Sequence, residues 1–385
     1  ISYAITDHFA VREDYGTLDD LRALVRAAHA RGVKVLLDVV PNHTSIGHPF
    51  YRDAEERGRA SPYWSWYERD EAGVARWDFD WKHLRRLDLA NPAVRRHLAE
   101  AFAFWIREAG VDGYRVDAAW GIARRAPGFW PALVRELEAL RPDVILLSEA
   151  SAREPDWARA GFDAAYDWTD ALGVWAWDEA FRDPARAEPA LAAALAPGAA
   201  AMPPCRVLRF LENNDTGARF VTRHGPERTR AAAALAFAVP GVALLFTGQE
   251  VGAAYEPYAD PPPIAWERDP HGLRAHYARL ARLREEVPAL REGGYLRLEV
   301  RGEDGALAFV RDAGAGGRAL VVSRLAGAGP VVVEWPFAAD PPAHDLLAGR
   351  PAPPGRAGPG AIAVDVGGGA GAVILADAPS PERPR

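Results

Sequence analysis

"NPAVRRHLAEAFAFWIREAGVDGYRVDAAW", residues 91–120, carries the pattern that decides the fold. Asn91-Pro92 is a helix start: the asparagine side chain can accept from a free first-turn amide, and proline is pre-set for the first helical position. The helix should run to roughly Arg107 and end at Gly110, and "GYRVD" (113–117) should be the next strand. Arg115 and Asp117 therefore stand two residues apart, on the same side of a buried strand. Charged groups seldom sit there without a partner or a task.

The same helix–glycine–strand order recurs on both sides. Thr17 and Asp20 make a capping-box-like start, with Leu21, Leu24, Val25 and Ala28 at helical spacing; Gly32 stops that helix, and "VKVLLDVV" (33–40) reads as a strand buried on both faces. A helix over about 130–140 stops near Pro142, and "VILLSEA" (144–150) follows. Further strands are expected at 162–167, 206–211 and 242–247, with an alanine-rich helix at 227–238 before the last. Regular alternation of this kind means βαβ units and a parallel sheet. A barrel and an open doubly wound sheet both fit, although the first turns lack the glycine-rich loop of a dinucleotide-binding fold.

Residues 44–87 interrupt the rhythm with a polar stretch holding Tyr63, Trp64, Trp66, Tyr67, Trp77 and Trp81. A long insertion after a strand is usually a functional loop or small subdomain, and clustered aromatics suit either sugar stacking or mutual packing. From about residue 290 short strands separated by Gly, Pro and Asp predict an antiparallel β-sandwich, and "PSPERPR" is expected to be disordered.

The 385 residues, 49% hydrophobic and 26% charged, suit a globular protein of barrel size plus a smaller domain. Net charge is −7 without a basic run, which argues against nucleic acid or an anionic membrane surface as partner; no apolar stretch is long enough to span a bilayer. Cys205 is the only cysteine, so no intrachain disulfide can form, and a small buried hydrophobe is its expected role. The chain starts at Ile1 and its only methionine is Met202; the natural start is expected to lie elsewhere, and neither compartment nor oligomeric state can be read.

In parallel α/β folds, ligands bind at the carboxyl ends of the strands. Asn42 and His43 follow the first expected strand, Arg115 and Asp117 end the next, Glu149 ends the one after, and Asn213, Asn214 and Asp215 follow strand 206–211. A lone acid there is usually a cap or an ion pair; three on three strand ends point to a site. Gathered carboxylates suit glycoside hydrolysis, in which one attacks the anomeric carbon while another, of raised pKa, protonates the leaving oxygen. Arg115 would hold Asp117 ionised and oriented. A metal-dependent hydrolase is the competing use of the acids, but only His43 lies among them and no zinc spacing occurs.

"DVVPNH" (38–43), "GYRVDAA" (113–119), "LLSEA" (146–150) and "LENND" (211–215) resemble the four ordered motifs of the α-amylase family of glycoside hydrolases, and "GVALLFTGQEVG" (241–252) resembles its last barrel strand and following turn. The resemblance implies a (β/α)8 TIM barrel over residues 1–288, with 44–87 as inserted subdomain B, a C-terminal antiparallel β-sandwich at 289–377 and a disordered tail at 378–385. Six barrel strands can be counted, so the barrel's first strand, first helix and second strand look absent from this chain; a separately supplied segment or a longer gene product is expected.

Position by position, the resemblance makes Asp117 the nucleophile, Glu149 the general acid/base and Asp215 the third, transition-state-stabilising carboxylate. Arg115 matches the arginine that organises the nucleophile, His43 a sugar-binding histidine, Tyr3 the tyrosine on which the sugar stacks, and Asp38 a structural aspartate near the arginine. Asn214 stands where the family usually has histidine; it can donate to a sugar hydroxyl but carries no charge. Asn42 matches a calcium ligand, yet Arg86 stands where calcium-binding members have aspartate and would repel the ion, so no cofactor is expected. The reading that follows is a retaining hydrolase of α-1,4-glucans or maltooligosaccharides. The alternatives are a transglycosidase acting on sucrose- or trehalose-type disaccharides and a catalytically silent carbohydrate-binding or scaffold relative.

Overall fold

A computed structural model describes residues 3–183, 186–196, 203, 206–255, 263–302 and 305–377. Cys205 and the expected tail at 378–385 lie outside the described residues. The chain divides into two compact units, Ile1–Tyr166 and Asp167–Arg385.

The first unit opens with α1 (Leu18–His29), where Thr17 accepts from the Asp20 amide and the Asp20 carboxylate accepts from the Thr17 amide, closing the capping box. β1 (Leu36–Val39) follows. The insertion holds β2 (His43–Ser45), α2 (Pro49–Arg57) and β3 (Leu84–Arg86), with β2 and β3 paired antiparallel. In α3 (Pro92–Ala109) the Asn91 side chain accepts from the Ala93 amide at 2.9 Å, and Gly110 ends the helix in the left-handed region. Val94, Leu98, Ala101, Phe102 and Trp105 form its buried face.

Next come β4 (Gly113–Val116), α4 (Ala119–Arg125), α5 (Phe129–Leu140), β5 (Ile145–Ser151), α6 (Asp156–Ala160) and β6 (Ala164–Tyr166). The four long-range strands pair in parallel in the order β1-β4-β5-β6. At Gly113 the backbone of β5 leaves no room for a side chain: its φ is 156° and a Cβ there would stand 1.9 Å from the Ile145 carbonyl oxygen, so only glycine fits. The register sets Asp38 beside Arg115, and Arg115 beside Leu147.

One acid before β4 does have a purely structural task. Asp112, almost fully buried, joins Arg141 at 2.6 Å and His29 at 2.7 Å and accepts from the Val35 amide. It ties α1 and the segment after α5 to the start of the sheet.

The second unit contains α7 (Asp178–Arg182), α8 (Ala187–Leu195), β7 (Val207–Arg209), α9 (Phe220–Ala238), β8 (Val242–Ala243), α10 (Leu273–Glu286) and α11 (Pro288–Glu292). β7 and β8 pair in parallel. α9 is broken at Gly225 (φ 77°, ψ 165°) just before Pro226; the expected helix at 227–238 is its regular part. Antiparallel strands follow: β9 (Gly294–Leu298), β10 (Ala306–Asp312), β11 (Arg318–Arg324), β12 (Val331–Glu334), β13 (His344–Asp345), β14 (Arg350–Pro351), β15 (Gly355–Arg356), β16 (Ala361–Val364) and β17 (Gly371–Ala376). They form two sheets, β14-β13-β17-β11-β10-β9 and β12-β16-β15. Val310, Leu320, Val322, Val333, Val364 and Leu375 fill the core they share.

All six expected parallel strands are present, but several are shorter than their apolar runs. The run 242–247 gives only Val242–Ala243, because pairing stops after the Leu244 amide reaches the Arg209 carbonyl. Among the described residues the parallel pairing comprises four strands in the first unit and two in the second; closure into an eight-stranded barrel is not among its features. No described helix is long and apolar enough to cross a membrane.

Candidate active site

Arg115 is the centre of a charged cluster at the carboxyl end of the first unit's sheet. Its Nη1 lies 2.8 Å from Asp38 Oδ1 and 3.0 Å from Asp117 Oδ1, and its Nη2 lies 3.2 Å from Glu149 Oε1. Its Nε donates to the Tyr166 hydroxyl at 3.4 Å. Three adjacent parallel strands thus each supply a carboxylate, at or just beyond the carboxyl ends of β1, β4 and β5, to one guanidinium whose planar fork can serve them together.

Immediately after Asp117, Ala118 has φ 46° and ψ 35°, a left-handed conformation that costs a non-glycine residue free energy. The turn directs its amide onto Glu149 Oε2 at 2.6 Å. Strain at the residue between Asp117 and α4 therefore fixes the second carboxylate.

Tyr3 donates from its hydroxyl to Asp38 Oδ2 at 2.9 Å, and its ring lies 5.6 Å from the Arg115 guanidinium carbon. Burial first, and then the Asp38 charge, push the Tyr3 phenol far above its ordinary value, so it stays a neutral donor. His43 is buried, and its Nε2 lies 3.3 Å from the Tyr3 carbonyl oxygen. Burial pushes this imidazole down to about 4, so near neutrality it is uncharged and donates from Nε2.

Asp117 differs from its sequence-based expectation. Burial, followed by the negative charge of Glu149, raises its carboxyl well above the ordinary range, and Arg115 offsets this only in part. The reason is geometric: one guanidinium is divided among three carboxylates. Asp117 and Glu149 cannot both be ionised cheaply, so the cluster favours holding one proton between them.

Asp215 and Asn214 lie in the second unit, in the loop after β7. The Asp215 amide donates to Asn213 Oδ1 at 2.9 Å, and Asn214 Nδ2 donates to Asp215 Oδ1 at 3.2 Å. Below that loop the buried pair Glu212–Arg219, at 2.7 Å, anchors the backbone.

Most aromatics of the insertion pack on one another. Tyr63 stacks on Phe50 at 4.0 Å, Trp66 meets both edge-on, and Tyr67 is buried against Tyr51. Phe79 and Trp81 are the exposed pair, 4.9 Å apart. Sequence reasoning missed Tyr166 and the Ala118 amide. A tyrosine ending an apolar run gave no distinct signal, and positive φ at alanine gives none.

Fold and site together define a parallel α/β protein with an arginine–carboxylate cluster at its strand ends. Comparison with known proteins carries this further. The α-amylase catalytic-domain model matches residues 1–136. The chain is 32% identical over 289 residues to α-amylase MalA of Haloarcula japonica, covering 75% of this chain and 41% of that protein. It is 28% identical over 328 residues to neopullulanase 2 of Thermoactinomyces vulgaris, covering 80% and 54%. The ligand-free cyclic α-maltosyl-(1→6)-maltose hydrolase of Arthrobacter globiformis superposes with a TM-score of 0.76 at 25% identity, covering 98% of this chain and 82% of that one. Residues 1–136 thus belong to the α-amylase catalytic-domain family, and the rest of the chain resembles proteins of that family. The chain spans about half or less of the length of these two sequence relatives.

Proposed function

We propose that this chain carries the catalytic centre of a retaining glycoside hydrolase that cleaves α-1,4-glucans or maltooligosaccharides. The supporting observation is the shared arginine: Asp117 and Glu149, on neighbouring strands, are bound to the same guanidinium beside Tyr3. In this reading Glu149 holds the proton of the pair. Once Glu149 is neutral its repulsion vanishes, and Asp117 ionises against Arg115.

Asp117 then attacks the anomeric carbon while Glu149 gives its proton to the departing glycosidic oxygen. Glu149, now a carboxylate, takes a proton from the incoming water as the glycosyl–Asp117 ester opens. Asp215 has the role of third carboxylate, and Tyr3, His43 and Asn214 that of sugar-binding groups, by match to the family motifs. No step uses a metal. The parallel strands are read as part of a (β/α)8 barrel over residues 1–288, with 44–87 as subdomain B and 289–377 as the C-terminal sandwich.

Proton NMR of the anomeric signals during action on maltopentaose tests the chemistry: the α-anomer should appear first, and a β-anomer first would overturn the retaining assignment. Replacing Glu149 with Gln tests the proton donor. Turnover of maltooligosaccharides should fall by roughly 10²–10⁴-fold, whereas aryl glycosides with good leaving groups should lose far less. Equal losses on both would remove Glu149 from the role.

A further inference from the structure

The family's calcium position, to which Asn42 belongs by its motif, is built differently in this chain. Asn42 is fully buried, and its side-chain carbonyl accepts from Arg125 Nη2. A guanidinium can only donate, so the amide NH₂ must face the other way. There it donates to Asp78 Oδ2 at 3.0 Å and lies 3.3 Å from His43 Nδ1. A Cβ at Gly121 would stand 2.8 Å from Asn42 Oδ1, so α4 closes over the same atom.

Asp78 is held from its other side by Arg86, whose Nε donates to Oδ1 at 2.9 Å and whose Nη2 also reaches it. Burial alone would raise the Asp78 carboxyl, but the bonds from Arg86 and Asn42 and the charges of Arg86 and Arg125 hold it below the ordinary range. Arg125 spends its remaining donors on Glu68 and on the carbonyls of Leu87 and Gly121. Glu68 also faces Arg86 at 3.7 Å. Two guanidinium groups therefore meet two carboxylates and one amide.

Calcium needs six to eight oxygen ligands. Here the Asn42 carbonyl and the Asp78 carboxylate are both engaged by guanidinium groups, and a divalent ion would enter beside two fixed positive charges. The residues present do not fit the ion. We propose that Arg86 and Arg125 take the cation's place, bracing the loop of Asn42 and His43 against residues 68–88 and α4 through a charge-balanced joint that requires no metal. His43 is the beneficiary: the Asn42 amide proton occupies its Nδ1, which leaves Nε2–H for the Tyr3 carbonyl.

The test reads stability and local opening, so it is independent of the glycosidase assignment. The melting temperature of the wild-type chain should be the same, within about 1 °C, in millimolar EDTA and in millimolar CaCl₂. The double substitution Arg86→Asp with Arg125→Ala should melt lower by about 5 °C or more without metal and recover part of that with CaCl₂. The single change Arg125→Lys keeps the charge but not the fork. Hydrogen exchange should then speed up by tenfold or more at amides 42–46 and 84–88 while α5 is unaffected. A wild-type melting temperature that rises with calcium, with the rise abolished by Asp78→Ala, would overturn the proposal. So would unchanged exchange in Arg125→Lys.

Discussion

Asp117→Asn should abolish turnover and yet make the protein more stable at neutral pH. The two effects have one origin. Asp117 is 8% exposed, and burial is the largest of the effects that raise its folded-state carboxyl above the ordinary value. A group of that kind binds its proton more tightly folded than unfolded. Its contribution to stability is fully present below the unfolded pKa of about 3.9 and is lost as pH rises through the folded value. Whenever it is ionised, the carboxylate is therefore a burden on the fold, and the proposed role of nucleophile, which requires the charge, would account for keeping it. Asparagine keeps the shape and an acceptor for Arg115, which still has Asp38 and Glu149.

Thermal unfolding at pH 7 should accordingly shift upward by a few degrees, about 2–4 °C, with the advantage over wild type shrinking toward pH 4. Initial rates on maltooligosaccharides should drop on the order of 10⁴-fold or more, since the covalent route disappears. Activity within tenfold of wild type would remove Asp117 from the nucleophile's role. A lower melting temperature at pH 7 would show instead that pairing with Arg115 outweighs the cost of burying the charge.

The fold was legible wherever local chemistry and tertiary demand agree. Asn91-Pro92, Gly110 and the run 113–117 produce α3, its stop and β4 because capping, left-handed glycine and an apolar run all favour the same outcome there. The short helices α2 and α4 were not legible. In α4 the helix begins at a strained alanine, not at a capping residue, and such a start depends on the sheet and on Glu149 beyond it. At the site, the residue types and their places on strand ends could be read, whereas the sharing of Arg115 could not. Spacing shows that Arg115 and Asp117 face one way; it does not show that β1 and β5 bring two further acids to the same guanidinium. For that reason the sequence alone suggests an arginine that keeps Asp117 charged, while the structure has one whose field is divided.

That division makes Arg115 the residue whose loss should destabilise most. In Arg115→Met the apolar stem is kept, and Asp38, Asp117 and Glu149 lose the cation they share. Removing one partner from a buried ionic cluster typically costs about 3–5 kcal/mol, because the remaining charge stays desolvated and uncompensated. The loss should be largest at pH 7 and should shrink as the solution is acidified toward pH 5, because Asp117, whose carboxyl burial already raises, can take up a proton. Chemical denaturation at the two pH values checks this, with turnover lost at both. Arg115→Lys should recover part of the stability and little of the rate, since an ammonium supplies charge without a planar fork for three acceptors. A loss below about 1 kcal/mol at pH 7, or one that does not change with pH, would mean that the three carboxylates do not depend on Arg115 and that the cluster is a surface ion pair in all but position.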